Sequence, residues 1–200
     1  MTPTATVAAQ VGVPGAAQMR ALGARLALLL RSGDLVVLTG QLGAGKTTLA
    51  QGIGAGLGVR GPVTSPTFVI ARRHPSLGDG PALVHADAYR LGSRIEVDDL
   101  DLEADLDSSV TVVEWGEGLV EDLAPDHLQI SIDRGSAAGP GWTSGPGSAG
   151  GPGSNSGPGP AGGLSDDELR LVTVTGHGDR WRIAAAALRA ALAEPANPLV

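Results

Sequence analysis

The strongest chemical signal in the chain is the run Gly40-Gln-Leu-Gly-Ala-Gly-Lys-Thr47. A glycine, four residues, then Gly-Lys-Thr is the spacing of a phosphate-binding loop, or P-loop. Glycines there let backbone N–H groups close on phosphate oxygens, and a side chain at Gly45 would block that approach. Lys46 brings a mobile point charge to the β- and γ-phosphates, and Thr47 offers a hydroxyl to Mg²⁺, an ion usually shared between protein oxygens and phosphates. Lys46 is the one lysine among fourteen basic residues. A compact ammonium on a flexible stem enters a tight anion site where a planar guanidinium does not, which accounts for the exception. The candidate nucleotide contacts are the backbone of Gly43, Ala44 and Gly45 together with Lys46, Thr47 and Thr48.

A P-loop of this kind also needs a carboxylate near the metal. Two apolar runs end in one: ALVHAD at Asp87 and VTVVEW at Glu114 followed by Trp115. In an open α/β sheet the ligand sits beyond the carboxyl ends of the strands, so both acids are expected at the loop's edge. One would order the metal or its waters and the other orient an attacking water, with the assignment open at this point. No Asn-Lys-x-Asp guanine-reading sequence is present, which favours ATP over GTP.

The elements that must position these groups alternate along the chain. A helix over 16–30 leads to a strand over 34–39 and the glycine loop; a second helix from Lys46 is ended by Gly56 and Gly58. Strands are expected over 67–72, 82–87 and 110–115, with an acidic helix over 95–106 between the last two. Further strands over 128–133 and 168–176 flank a Gly/Pro/Ser/Ala tract, and a short helix over 182–193 follows. This order argues for an α/β, P-loop NTPase-like layered fold with a largely parallel sheet and antiparallel C-terminal strands. Residues 135–163 repeat GPG every six positions and read as a disordered insertion within a single domain spanning 1–200. Closing so long a loop costs only about 2 kcal/mol more than a four-residue hairpin.

Composition narrows the function classes. A net charge of -7 and a pI near 4.9 give no general attraction for a nucleic-acid backbone, so DNA is not an expected partner. The absence of cysteine removes disulfides and thiolate metal sites. No apolar run reaches membrane-spanning length, and the N-terminus lacks a signal-peptide pattern, so the expected location is cytoplasmic. His74, His127 and His177 look isolated and solvated, with His85 part of a strand.

In order and spacing, GQLGAGKTT, VTSPTF, HADAYRL and VVEWGE resemble the TsaE family, formerly called YjeE. The resemblance runs from the first helix to Asp133 and resumes in the last strand; the Gly/Pro tract has no counterpart in it. It implies a Mg²⁺-dependent ATPase, weak alone and activated by partners. Its work would be to support threonylcarbamoyladenosine synthesis on tRNA by a TsaB-TsaD complex, resetting that complex between turnovers, with tRNA held mainly by the partners. It also implies site roles. Asp87 would serve Mg²⁺, Glu114 hydrolysis, and Trp115 would lie beside the nucleotide. Thr64, Ser65 and Thr67 would form a switch-like loop sensing the γ-phosphate, while Tyr89 and Arg90 either pack or pair or touch a ligand. The family usually has an acid where this chain has Gln41, so that carboxylate's contact is lost or remade by an amide. Two other classes share the loop: a small-molecule kinase, which would need an acceptor pocket and clustered arginines, and a nucleotide-gated binding module with little hydrolysis.

Overall fold

The structure, a computed structural model, describes residues 6–66, 71–89, 102–134 and 169–193. Seven strands form one sheet: β1 (Thr6–Pro14), β2 (Leu35–Thr39), β3 (Ala71–His74), β4 (Ala82–Asp87), β5 (Ser109–Glu114), β6 (His127–Arg134) and β7 (Leu169–His177). Their order is β1-β7-β6-β2-β5-β4-β3. The centre, β6-β2-β5-β4, is parallel, while β3, β7 and β1 pair antiparallel at the two sides. β6 belongs to both regimes, parallel to β2 and antiparallel to β7.

The central strands are buried throughout, as β2 (LVVLT) and β5 (SVTVVE) illustrate. A strand covered on both faces needs a continuous apolar run, which these sequences supply. One face packs Val36, Leu38, Val110 and Val112 against α1 (Gly15–Ala27), α2 (Lys46–Leu57) and the C-terminal helices. The other face packs Leu35, Val37, Val84 and Val113 against Leu102, Val120 and Ala124.

The glycines of α2 have a packing role. A Cβ at Gly52 would strike the carbonyl of Arg20, and one at Gly56 would sit 2.6 Å from Ala27 Cβ, so α1 and α2 approach more closely than side chains would allow. Gly56 therefore lies inside the helix instead of ending it. The end is set by Gly58, left-handed at φ 66°, whose N–H returns to the last turn.

The C-terminal helix is broken into α4 (Gly178–Ile183) and α5 (Ala185–Ala193), with α3 being the short Leu102–Leu106 segment. Arg180 grips both carboxylate oxygens of buried Asp34 and also donates to the carbonyl of Leu29 at 2.7 Å. The chain's last helices are thus tied to the residue just before the P-loop strand. Of the expected acidic helix only its 102–106 end is described; 95–101, Thr67, Arg90 and the 135–163 tract lie outside the described residues. β1 was not expected at all, because TVAAQVGVP has little period-two contrast between apolar and polar residues.

The histidines correct the expectation of solvation. His74 and His127 are each 4 % exposed. His127 stacks on His177, ring centroids 4.4 Å apart, because the two are register partners of β6 and β7. Burial, then the neighbouring His127, push the His177 imidazole below its ordinary 6.5, with Glu121 pulling the other way. His74 is lowered too, again chiefly by burial and against the Arg60 carbonyl, which raises it. The unfolded chain then takes up protons near pH 6.5 that the native chain refuses, so stability falls as pH drops through that value and on to the lower native pKa. Thermal melts should therefore hold level above about pH 7 and drop below about 6.5, with a shallower drop in His177→Gln.

Candidate active site

The carboxyl ends of β2, β4 and β5 share one edge because these strands run parallel. From β2 the chain enters the loop through Gly40 (φ 134°), Gly43 (φ 74°) and Gly45 (φ 115°), backbone conformations that side-chain-bearing residues rarely adopt. A Cβ at Gly40 would collide with the carbonyl of Ile132 on β6, and one at Gly43 would lie 2.5 Å from the Arg134 guanidinium. Ala44 is fully buried and pins the loop to the core. Lys46 is the first residue of α2, whose opening turn carries no acidic side chain. The first-turn N–H groups and the positive end of the helix dipole therefore face the loop, the usual setting of an anion site.

Lys46 is 4 % exposed. Its ammonium donates to the carbonyls of Gly40 (2.8 Å) and Gln41 (3.1 Å) and lies 3.7 Å from the centre of the Trp115 ring. Burial lowers its pKa from the ordinary 10.5, opposed by the charges of Glu114 and then Asp87. The lysine is thus held inside its own loop, charged surroundings on one side and an aromatic face on the other.

Glu114 ends β5 with only 3 % of its surface exposed. Its Oε1 accepts the hydroxyl of Thr47 at 2.8 Å and lies 3.0 Å from Nε2 of His85. Asp87 is its register partner on β4, and the Asp87 carboxylate accepts the Tyr89 N–H at 3.0 Å. Trp115 turns the chain out of β5 at φ 62°, the one described non-glycine residue with positive φ. Such a conformation costs on the order of 1–3 kcal/mol and persists where the surroundings hold it. Here the holding contacts are its N–H on the Leu38 carbonyl, Lys46 beneath its ring and Tyr89 beside it at 5.2 Å. Tyr89 is otherwise 66 % exposed.

Of the residues singled out in the sequence, Lys46, Thr47, Glu114, Asp87 and Trp115 are brought together with the backbone of Gly43, Ala44 and Gly45. Thr48 follows in the first turn of α2. Thr64 and Ser65 are exposed on the segment before β3, where Thr64 accepts a long 3.5 Å bond from Arg72. Two neighbours were missed. His85 could have been found, since it stands two residues before Asp87 and so on the same face of the strand. Arg134 could not, because its closeness to Gly43 depends on β6 lying beside β2, and strand order is not written locally.

The oxygens fit Mg²⁺ in the way that ion is held when a nucleotide supplies the rest. Thr47 and Glu114 are in contact, and Asp87 stands across from Glu114 on the next strand. One or two carboxylates suffice when phosphates complete the shell. Among the described residues no cluster of three or more His, Asp or Glu could hold a metal unaided.

Fold and loop together define a P-loop protein, the class built to take the phosphates of a nucleotide. A family model described as "Threonylcarbamoyl adenosine biosynthesis protein TsaE" matches residues 13–139. The chain belongs to the TsaE family. A Streptomyces coelicolor protein named tRNA threonylcarbamoyladenosine biosynthesis protein TsaE is 57% identical over 167 residues, 83% of this chain and 95% of that one. A Bacillus subtilis protein of the same name is 38% identical over 119 residues, 58% of this chain and 72% of that one. The crystal structure of Bacillus subtilis YdiB superposes with a TM-score of 0.60 at 26% identity, covering 94% of this chain and 96% of that one.

Proposed function

We propose that this chain is a Mg²⁺-dependent ATPase that supports threonylcarbamoyladenosine formation on tRNA. The observation that carries the reading is the Thr47 hydroxyl on Glu114 Oε1 with the Lys46 ammonium beside it: a metal-binding oxygen, an acid and a phosphate-binding cation on one edge. ATP would lie along the loop, with Lys46 on the β- and γ-phosphates. Thr47, Glu114 and Asp87 would hold the metal and its waters, and Glu114 would also orient the attacking water. Bound Mg²⁺ would supply neutralisation of the charge that builds on the phosphates. Ser65 and Thr67 are assigned to sensing the γ-phosphate.

The names of the relatives support the pathway. The partner is a TsaB-TsaD-type complex, which the chain resets between turnovers. The net charge of -7 suits a subunit that leaves tRNA contact mainly to partners. Turnover by the isolated chain is expected to be slow, because Lys46 is bonded to its own loop, a state that partner-ordered segments would relieve. The chain is read as one cytoplasmic domain carrying an insertion at 135–163; no described helix is long and apolar enough to cross a membrane.

The test is the yield of modified adenosine per TsaB-TsaD complex in a reaction containing tRNA, ATP and the threonylcarbamoyl donor. Adding this chain should carry the yield past one modification per complex. A yield that climbs equally without it would overturn the proposal.

A further inference from the structure

The geometry points to His85 as the residue that positions Glu114, an inference that rests on the hydrolytic reading above. β4 and β5 are parallel neighbours with His85 opposite Val112 and Asp87 opposite Glu114. Residues two apart on a strand share a face, so His85, Asp87 and Glu114 all look towards α2 and the P-loop. From one pair back, the His85 ring reaches diagonally across to Glu114, Nε2 to Oε1 being 3.0 Å.

Packing alone does not explain an imidazole here. His85 is fully buried, and its neighbours on that face are Leu83, Val110 and Val112. An aliphatic side chain would fill such a place without burying polar atoms. Moreover, among the described residues, Nδ1 has no hydrogen-bond partner. A buried polar atom left unpaired costs stability, and such exceptions call for an explanation beyond packing. Among the described residues the ring's one polar contact is with a carboxylate oxygen, which accepts, so Nε2 is the donor.

Both donors, Thr47 and His85, converge on Oε1. Two bonds to one oxygen fix the rotation of the carboxylate. The two bonds differ in permanence. Thr47 is itself a candidate metal oxygen, and its hydroxyl turns freely about one bond. His85 is anchored in the middle of a buried strand, so its bond does not depend on what occupies the loop. The polar contact of His85 is with Glu114, so its effect is exerted through that carboxylate.

The test compares His85→Gln with His85→Asn in the chain assembled with its partner complex. The Gln amide N–H reaches the place of Nε2; the Asn amide, one methylene shorter, does not. Asn should lower kcat by about ten- to a hundredfold, the usual effect of losing a group that orients a ligating side chain, with KM for ATP little changed. Gln should restore most of kcat. Melting temperatures of the two variants should agree. In nitrogen-15 spectra of the unliganded wild-type chain, His85 should give a slowly exchanging Nε2–H signal that Glu114→Ala abolishes. Equal kcat for Asn and wild type, equal loss in Gln and Asn, or an Nε2–H indifferent to Glu114 would each overturn the inference. If neither amide variant folds, the spectra decide. Absent ATP turnover by the wild-type complex would sink the hydrolytic reading instead, and the spectra would still judge the His85–Glu114 contact separately.

Discussion

Lys46→Ala should weaken ATP binding by about ten- to a hundredfold, the loss of one or more charge-assisted bonds of about 1.5–3 kcal/mol each. The side chain is buried against its own loop, where two carbonyls and the Trp115 ring hold the ammonium. Phosphate oxygens are better partners for it than those carbonyls, since they carry charge. Lys46→Arg should fail nearly as badly despite keeping the charge. The planar guanidinium is too wide for a site where the ammonium sits between two loop carbonyls and the Trp115 ring. Calorimetric titration of each variant with Mg·ATP measures this, and wild-type affinity in Lys46→Ala would refute the assignment of the loop.

Glu114→Gln should separate binding from turnover. The Gln carbonyl oxygen still accepts from Thr47 and from His85, so the local geometry is kept and ATP affinity should stay close to that of wild type. The negative charge is lost, and with it the group proposed to orient the water. Loss of such a group costs about 10²–10⁴ in rate. Hydrolysis by the assembled complex is the readout, and a wild-type rate in Glu114→Gln would remove Glu114 from the chemistry.

The phosphate loop was legible because its physics is local: glycines are demanded at fixed intervals, and Gly40, Gly43 and Gly45 do take positive φ. The acids were legible for a different reason. Asp87 and Glu114 terminate apolar runs, and parallel strands carry such ends to one edge. What could not be read was which strands are neighbours. β5 lies between β2 and β4, which puts Glu114, not Asp87, on the Thr47 hydroxyl. The pairing of His127 with His177 and the approach of Arg134 to Gly43 likewise arise from register and order across long stretches of chain. β1 pairs with a strand more than 150 residues away, and its small residues carry little signal of their own. Gly56 was misread because a glycine near a helix end serves equally as a stop or as a place for another helix to approach.

The central claim is that this edge hydrolyses ATP for a partner-dependent task. ATP hydrolysis with Mg²⁺, measured on the purified chain alone and with its TsaB and TsaD counterparts added together, tests it most directly. The account predicts slow turnover alone and strong stimulation by the pair, lost in Glu114→Gln. Equal rates with and without the pair would contradict it, leaving a nucleotide site whose task lies elsewhere.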